Sequence, residues 1–210
     1  MSMPMEVTFS CPACKATIKS TAWRSINTDY PNAVELILSG KLFEAKCPKC
    51  GFVAHLAYDL LFNDMIHGFY IWVVHPDEKY GAKLDSVLNQ ENILGFSTRI
   101  VNSVDTLREK VRILQAGKDD RVIELCKQLL LLEIKELRHE FEPVNMEFVS
   151  DKGTGEILFY EANSQITRCE LTADFYGEIS SKYRDAILDA DGHNTPFIDA
   201  AWAQKVVGNL

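Results

Sequence analysis

Two short turns, Cys11-Pro12-Ala13-Cys14 and Cys47-Pro48-Lys49-Cys50, constrain this chain more than any other stretch. A Cys-x-x-Cys turn sets two sulfurs about 3.5–4 Å apart on one side of a tight loop, the edge of a tetrahedron built from zinc–sulfur bonds of about 2.3 Å. Two such turns complete the polyhedron. Cys11, Cys14, Cys47 and Cys50 are therefore the expected metal ligands, with Zn2+ as the ion and Fe as the alternative, because four thiolates suit either. Pro12 and Pro48 pre-set φ where the chain must reverse. Gly51 follows the second turn, where a left-handed residue lets the chain leave. Lys15 holds the matching place in the first turn, at a cost of about 1 kcal/mol if its backbone is left-handed.

Redox pairs and a disulfide framework compete with this reading. A redox Cys-x-x-Cys opens a helix in a βαβ setting, whereas both turns here lie in strand-rich sequence. Four cysteine ligands also leave no open coordination position, so the expected role is structural rather than catalytic. His55, close to the second turn, is not needed as a fifth ligand and reads as an ordinary strand residue.

The chain has 210 residues, 47% of them hydrophobic, enough for a sizeable core. Its longest apolar run, Phe69 to Val74, is strand-sized, so no membrane span is expected. Met1 to Ser10 lacks a basic stretch followed by an apolar core, so no secretory leader is expected either. Cys126 and Cys169 stand alone in apolar or half-apolar surroundings and read as packed thiols; this cysteine usage points to a reducing cytoplasm. The net charge of −8 argues against a nucleic-acid partner. Lys15, Lys19, Arg24, Lys41, Lys46 and Lys49 could still touch phosphates locally, which keeps a zinc-ribbon nucleic-acid binder as the alternative.

The pattern predicts an α+β protein: an N-terminal zinc-ribbon-like β-sheet with an inserted helix, then a helical pair, then a C-terminal hairpin-plus-helix region. Residues 6–10 and 16–23, rich in β-branched and aromatic side chains, flank the first turn as strands. Between the turns, Asp29 and Pro31 open a helix that closes at Gly40. Strands are expected over Leu42 to Lys46, Phe52 to Tyr58 and, after Asn63-Asp64, Phe69 to Val74; the last is apolar on both faces and reads as the central strand. Residues 77–103 are the least defined, with a short helix or linker around Lys83 to Asn92. Ser103 and Asp105 open a helix that stops at Gly117, and Asp119 and Asp120 open a longer one ended by Pro143. Its apolar run at 129–132 reads as buried, with a partner contact as the alternative. Asn145 to Val149 and Glu156 to Glu161 form a hairpin around Gly153-Thr154-Gly155, which lacks the ending of a phosphate loop. Ile166 to Leu171 adds a strand, Ala173 to Leu188 an amphipathic helix and Ala200 to Val207 a terminal one. The expected divisions are 1–76, 77–143 and 144–210, with one continuous domain as the alternative.

The paired Cys-Pro-x-Cys motifs at this long separation, Ser39-Gly40-Lys41-Leu42-Phe43, and Glu109-Lys110-Val111-Arg112-Ile113 leading to Gly117-Lys118-Asp119-Asp120 resemble the CpXC family over about residues 8–140. The resemblance implies a bacterial, zinc-binding protein without an established activity. It carries the family's defining residues onto Cys11, Pro12, Cys14, Cys47, Pro48 and Cys50.

For catalysis, His55, Tyr58, Asp59, His67 and His75 lie on or beside neighbouring strands and could share a face. No nucleophile with its base is identifiable among them, so no catalytic residue is assigned. The expectation is a non-catalytic protein acting through protein contacts, with an unidentified protein or a second copy of the chain as partner.

Overall fold

The computed structural model describes residues 2–88, 95–151, 154–192 and 195–208. The chain is a mixed α+β protein whose fold divides into two compact units, Met1–Arg108 and Glu109–Leu210.

In the first unit, β1 (Met3–Ser10) and β2 (Thr17–Asn27) pair antiparallel in one register from Pro4 to Ser10, with a shift at Met3 and with the first cysteine turn as their hairpin. After β2 comes α1 (Ala33–Leu38), shorter than expected, because Asn32 before it is left-handed (φ 59°). Gly40, also left-handed at φ 79°, opens a single 3-10 turn over Lys41–Phe43. That turn takes the first half of the expected Leu42-to-Lys46 strand and leaves β3 (Glu44–Lys46) to pair antiparallel with β4 (Val53–His55), itself shorter than the expected Phe52-to-Tyr58 strand. The second cysteine turn joins these two.

The chain then returns as β5 (Leu60–Asp64), parallel to β2 and antiparallel to β6 (Phe69–Val73). A parallel partner, β7 (Ser97–Val101), completes a five-stranded sheet in the order β1-β2-β5-β6-β7. β5 rather than Phe69–Val73 is thus the middle strand, and Asn63-Asp64 ends it rather than turning before it. Asp64 is fully buried because its carboxylate is satisfied: Oδ1 accepts the Ile66 and His67 amides at 3.1 Å each, and Oδ2 lies 2.7 Å from His67 Nδ1. The actual reversal comes one step later, at Gly68 (φ 72°). Within 77–103 the chain forms α2 (Tyr80–Leu88) and β7; the remainder of the expected helix or linker, residues 89–92, lies outside the described residues. Ile18, Ile26, Ile37, Leu60, Phe62 and Ile71 form the unit's buried interior.

The unit boundary falls within α3 (Val104–Gln115). Ser103 caps this helix, its Oγ accepting the Thr106 amide at 3.1 Å. Gly117 (φ 65°) ends the turn after it, and Asp119 caps α4 (Asp120–Leu137) by accepting the Arg121 amide. This helix stops at Leu137, before Pro143, where Arg138 leaves helical geometry (φ −135°). A three-stranded antiparallel sheet follows, β8 (Pro143–Asp151), β9 (Thr154–Glu161) and β10 (Ile166–Leu171), with β9 in the middle. Lys152 and Gly153, in the expected hairpin loop, lie outside the described residues. The single helix expected over Ala173 to Leu188 is two, α5 (Ala173–Lys182) and α6 (Arg184–Gly192), interrupted at buried Tyr183. α7 (Ala200–Gly208) ends the described chain. Phe141, Phe148, Phe159, Ile123 and Leu125 pack at the centre of this unit.

Charges as well as apolar groups are buried here. Lys127 Nζ lies 2.6 Å from Glu109 and 3.1 Å from Glu124, and Lys110 Nζ lies 2.9 Å from Asp120 and 2.6 Å from the Ile198 carbonyl. All five side chains are nearly inaccessible. Mutual pairing is the condition on which such groups can leave water.

Candidate metal centre

Both cysteine turns are closed by the same pair of backbone hydrogen bonds. In the first, the Cys11 amide donates to Ala16 O at 2.8 Å and the Lys15 amide to Cys11 O at 2.9 Å. In the second, the Cys47 amide donates to Phe52 O at 2.7 Å and the Gly51 amide to Cys47 O at 3.0 Å. The two hairpins β1–β2 and β3–β4 thereby present equivalent loops, and the four sulfurs converge. Cys11 Sγ lies 3.7 Å from Cys50 Sγ, Cys14 Sγ lies 3.6 Å from Cys47 Sγ, and all four are within 4.8 Å of one another. A tetrahedron of zinc–sulfur bonds has an edge of about 3.8 Å, so the donor set and its spacing fit a four-thiolate ion.

The site is buried on one side only. Cys11 and Cys47 are inaccessible and pack with Ile18 and Ala45, and Phe9, Ala16 and Leu56 lie against that cluster; Cys14 is half-buried and Cys50 exposed. Backbone amides favour the thiolate at Cys47. The Cys50 amide draws the Cys47 thiol down to about 6, against desolvation and with help from the Lys49 amide and the neighbouring thiols. At Cys14 the Ala16 amide pulls the same way, but desolvation and hydrogen bonds with the other three thiols outweigh it and push that thiol up to about 12. Four crowded thiols cannot all ionise together unless a cation compensates them.

The CpXC protein family model matches residues 9–127, more than half of the chain and inclusive of both turns. The chain belongs to the CpXC family. No curated protein and no solved structure matches it. In this CpXC chain the matched segment holds the five-stranded sheet from Phe9 onward, the cysteine cluster and α3, and ends inside α4; the three-stranded sheet and the last three helices lie beyond it.

The other candidate residues separate. His55 is exposed on β4, and His67 pairs with Asp64 at the β5–β6 reversal. Tyr58, Asp59 and His75 do come together: Asp59 Oδ1 accepts the His75 amide at 2.8 Å, and Tyr58 and His75 line one cavity. Asp59 also holds Lys83 at 2.8 Å, a residue that sequence reasoning left in an undefined stretch and that only the α2 fold brings here. Cys126 is fully buried and its thiol is pushed up to about 12 by desolvation, slightly offset by Lys118. Cys169 is half-buried and raised by desolvation and by Glu133. Neither has the electropositive setting of a nucleophile.

Proposed function

We propose that Cys11, Cys14, Cys47 and Cys50 hold one zinc ion in a structural site, and that this CpXC protein acts through protein contacts rather than by catalysis. The observation that supports it is the sulfur cluster: two backbone-equivalent turns supply four thiolates at tetrahedral-edge spacing, which fills the coordination sphere and leaves no position for water or substrate. The ion then cross-links β1–β2 to β3–β4, two hairpins that also meet in the small buried cluster around Ile18 and Ala45. Cysteines kept as thiolates belong in a reducing compartment, so the site of action in this reading is the cytoplasm. No helix among the described residues is long and apolar enough to cross a membrane.

Elemental analysis of protein purified without added metal, with melting curves before and after chelation, tests the reading. One zinc per chain and a lowered melting temperature after chelation are expected; one iron per chain would replace the ion but keep the site. Absence of metal would overturn it. With a net charge of −8, the protein should not retard DNA or RNA at any salt concentration, whereas a nucleic-acid binder would do so with steep salt dependence.

A further inference from the structure

β1 is an edge strand. Among the described residues its only neighbour in the five-stranded sheet is β2, so one side of its backbone is unpaired. The hydrogen bonding tells which groups that side holds. The Cys11 amide donates to Ala16 O at 2.8 Å, one step past the pairing of Ser10 with Thr17. Main-chain groups alternate in direction along an antiparallel strand, so Met5, Val7 and Phe9 bond to β2, while Glu6, Thr8 and Ser10 present both N–H and C=O to the free edge. Pro4, which has no N–H to present, takes the outward place before them.

This edge lacks the usual protection. Native edges are blunted by bulges, prolines and charges, lysines above all. Between Pro4 and Ser10 the register with β2 is unbroken and the only charge is Glu6. Met5 and Phe9 lie opposite buried Ala22 and Ile18, which places them and Val7 on the core face, yet all three are only half-buried because no strand covers their outer flank.

We propose that β1 pairs antiparallel with β1 of a second copy of this chain, about a two-fold axis at Val7, so that the two sheets join into one. Self-complementarity selects this occupant. With Val7 opposite itself, Glu6 falls opposite Thr8 of the second copy, Met5 opposite Phe9 and Pro4 opposite Ser10. Outward groups then meet outward groups, Glu6 and Thr8 exchange both of their free main-chain hydrogen bonds with the second copy, and every side chain keeps its face. An axis at Glu6 would set two carboxylates against each other, and one at Thr8 would set Met5 against Cys11 inside the metal-binding turn. Charge agrees with the Val7 register. Exposed Lys19 stands beside Thr8 on β2, so the solvent face carries the row Lys19, Thr8, then Glu6 and Thr21 of the second copy. Strand spacing puts that lysine and glutamate about 10 Å apart across a short threonine, within reach of two long side chains. Neither has an ion pair among the described residues of its own chain. Phe9 also packs against the cysteine cluster, so the contact adjoins the metal centre. The pairing names a partner for the contact-based reading above and rests on it.

The test is sedimentation velocity of the full-length protein as purified, over a concentration series up to about 1 mM, with amide hydrogen exchange at both ends of the series. A reversible monomer–dimer equilibrium is expected. In the dimer the Glu6 and Thr8 amides should exchange at least about tenfold more slowly than in the monomer, whereas the Val7 amide, already bonded to β2, should be slow in both. Glu6→Lys and Lys19→Glu, both at exposed positions, should each weaken the dimer about fivefold, and the two together should restore it. A monomer throughout, a dimer whose Glu6 and Thr8 amides exchange as in the monomer, or a dimer indifferent to the single charge changes would each overturn the proposal. So would protection of those amides only on adding a cell extract, which would assign the edge to another protein. Zinc content measured on the same samples keeps the two readings apart: a zinc-loaded monomer overturns the pairing alone, and metal-free protein overturns the zinc site alone.

Discussion

Lys15 and Gly51 occupy the same place in two copies of one turn, each in the left-handed region, at φ 61° and 77°. The backbone geometry of the cysteine turn therefore does not depend on glycine; it imposes the conformation on whatever residue is there. A Cβ built on Gly51 meets nothing within 4 Å, so the difference between the two turns is purely conformational. Gly51→Ala should cost about 1 kcal/mol, and Lys15→Gly should recover a similar amount less the added freedom of the unfolded chain. Thermal melts of the two variants, at unchanged metal content, check both signs; a Gly51→Ala loss of several kcal/mol would mean that the side chain clashes after all.

Cys47 is the inaccessible sulfur on which backbone amides converge, and Cys50 is the exposed one. Cys47→Ser should release the metal and lower the stability of the first unit, because binding and folding of such a site are linked. Cys50→Ser should weaken the metal less, since water can reach the vacated position. Metal content by elemental analysis, together with the melting temperature of each variant, distinguishes the two. Equal retention of metal by both variants would contradict a shared four-thiolate site.

The parts of the fold legible in the sequence are those where a short local pattern fixes the outcome. The cysteine turns, the Ser103 and Asp119 caps and the left-handed glycine at 117 are of this kind, and each lies where its residues predict. What escaped were places where a polar residue is buried by a partner distant in sequence or by its own turn. Asn63-Asp64 has the composition of a turn, yet Asp64 ends the middle strand because its carboxylate is saturated by Ile66 and His67. β7 contains Arg99, 3% exposed, whose guanidinium lies 5.1 Å from the centre of the Phe69 ring. A charge within a strand reads as solvent-facing until that ring is placed against it. The candidate metal ligands were legible because four residues carry the whole pattern; the His75 cavity was not, since it needs three separated segments to meet.

Burial of Glu109, Lys110, Asp120, Glu124 and Lys127 places another constraint on the second unit. Lys127 is held charged: desolvation opposes its ammonium, but Glu124 and Glu109 outweigh that and raise it above the ordinary lysine value. Lys127→Met removes the cation while leaving both carboxylates in place, and should cost about 3–5 kcal/mol, the range for breaking a buried pair from one side. Converting Glu109 and Lys127 together, to Gln and Met, should cost less than the sum of the two single changes. Urea unfolding of the three variants measures this coupling, and strict additivity would show that the pair acts independently.

Alkaline pH should destabilise the second unit through Cys126. In the unfolded chain this thiol ionises near its ordinary 9.0, while in the folded protein burial holds it protonated to about 12. Between those values the native state binds a proton that the unfolded state has lost, so stability falls as pH rises, by about 1.4 kcal/mol per pH unit for a single proton. The contribution is fully present below pH 9 and is lost progressively toward 12. Lys127, raised above its ordinary value, acts with the same sign at the upper end of that window. Cys126→Val keeps an apolar side chain of similar size but has no proton to lose, so its stability should fall less steeply than that of the unaltered protein between pH 9 and 11. Denaturant midpoints measured at half-unit pH intervals on both proteins give the difference directly; parallel curves would show that the Cys126 thiol ionises as readily inside the fold as outside it.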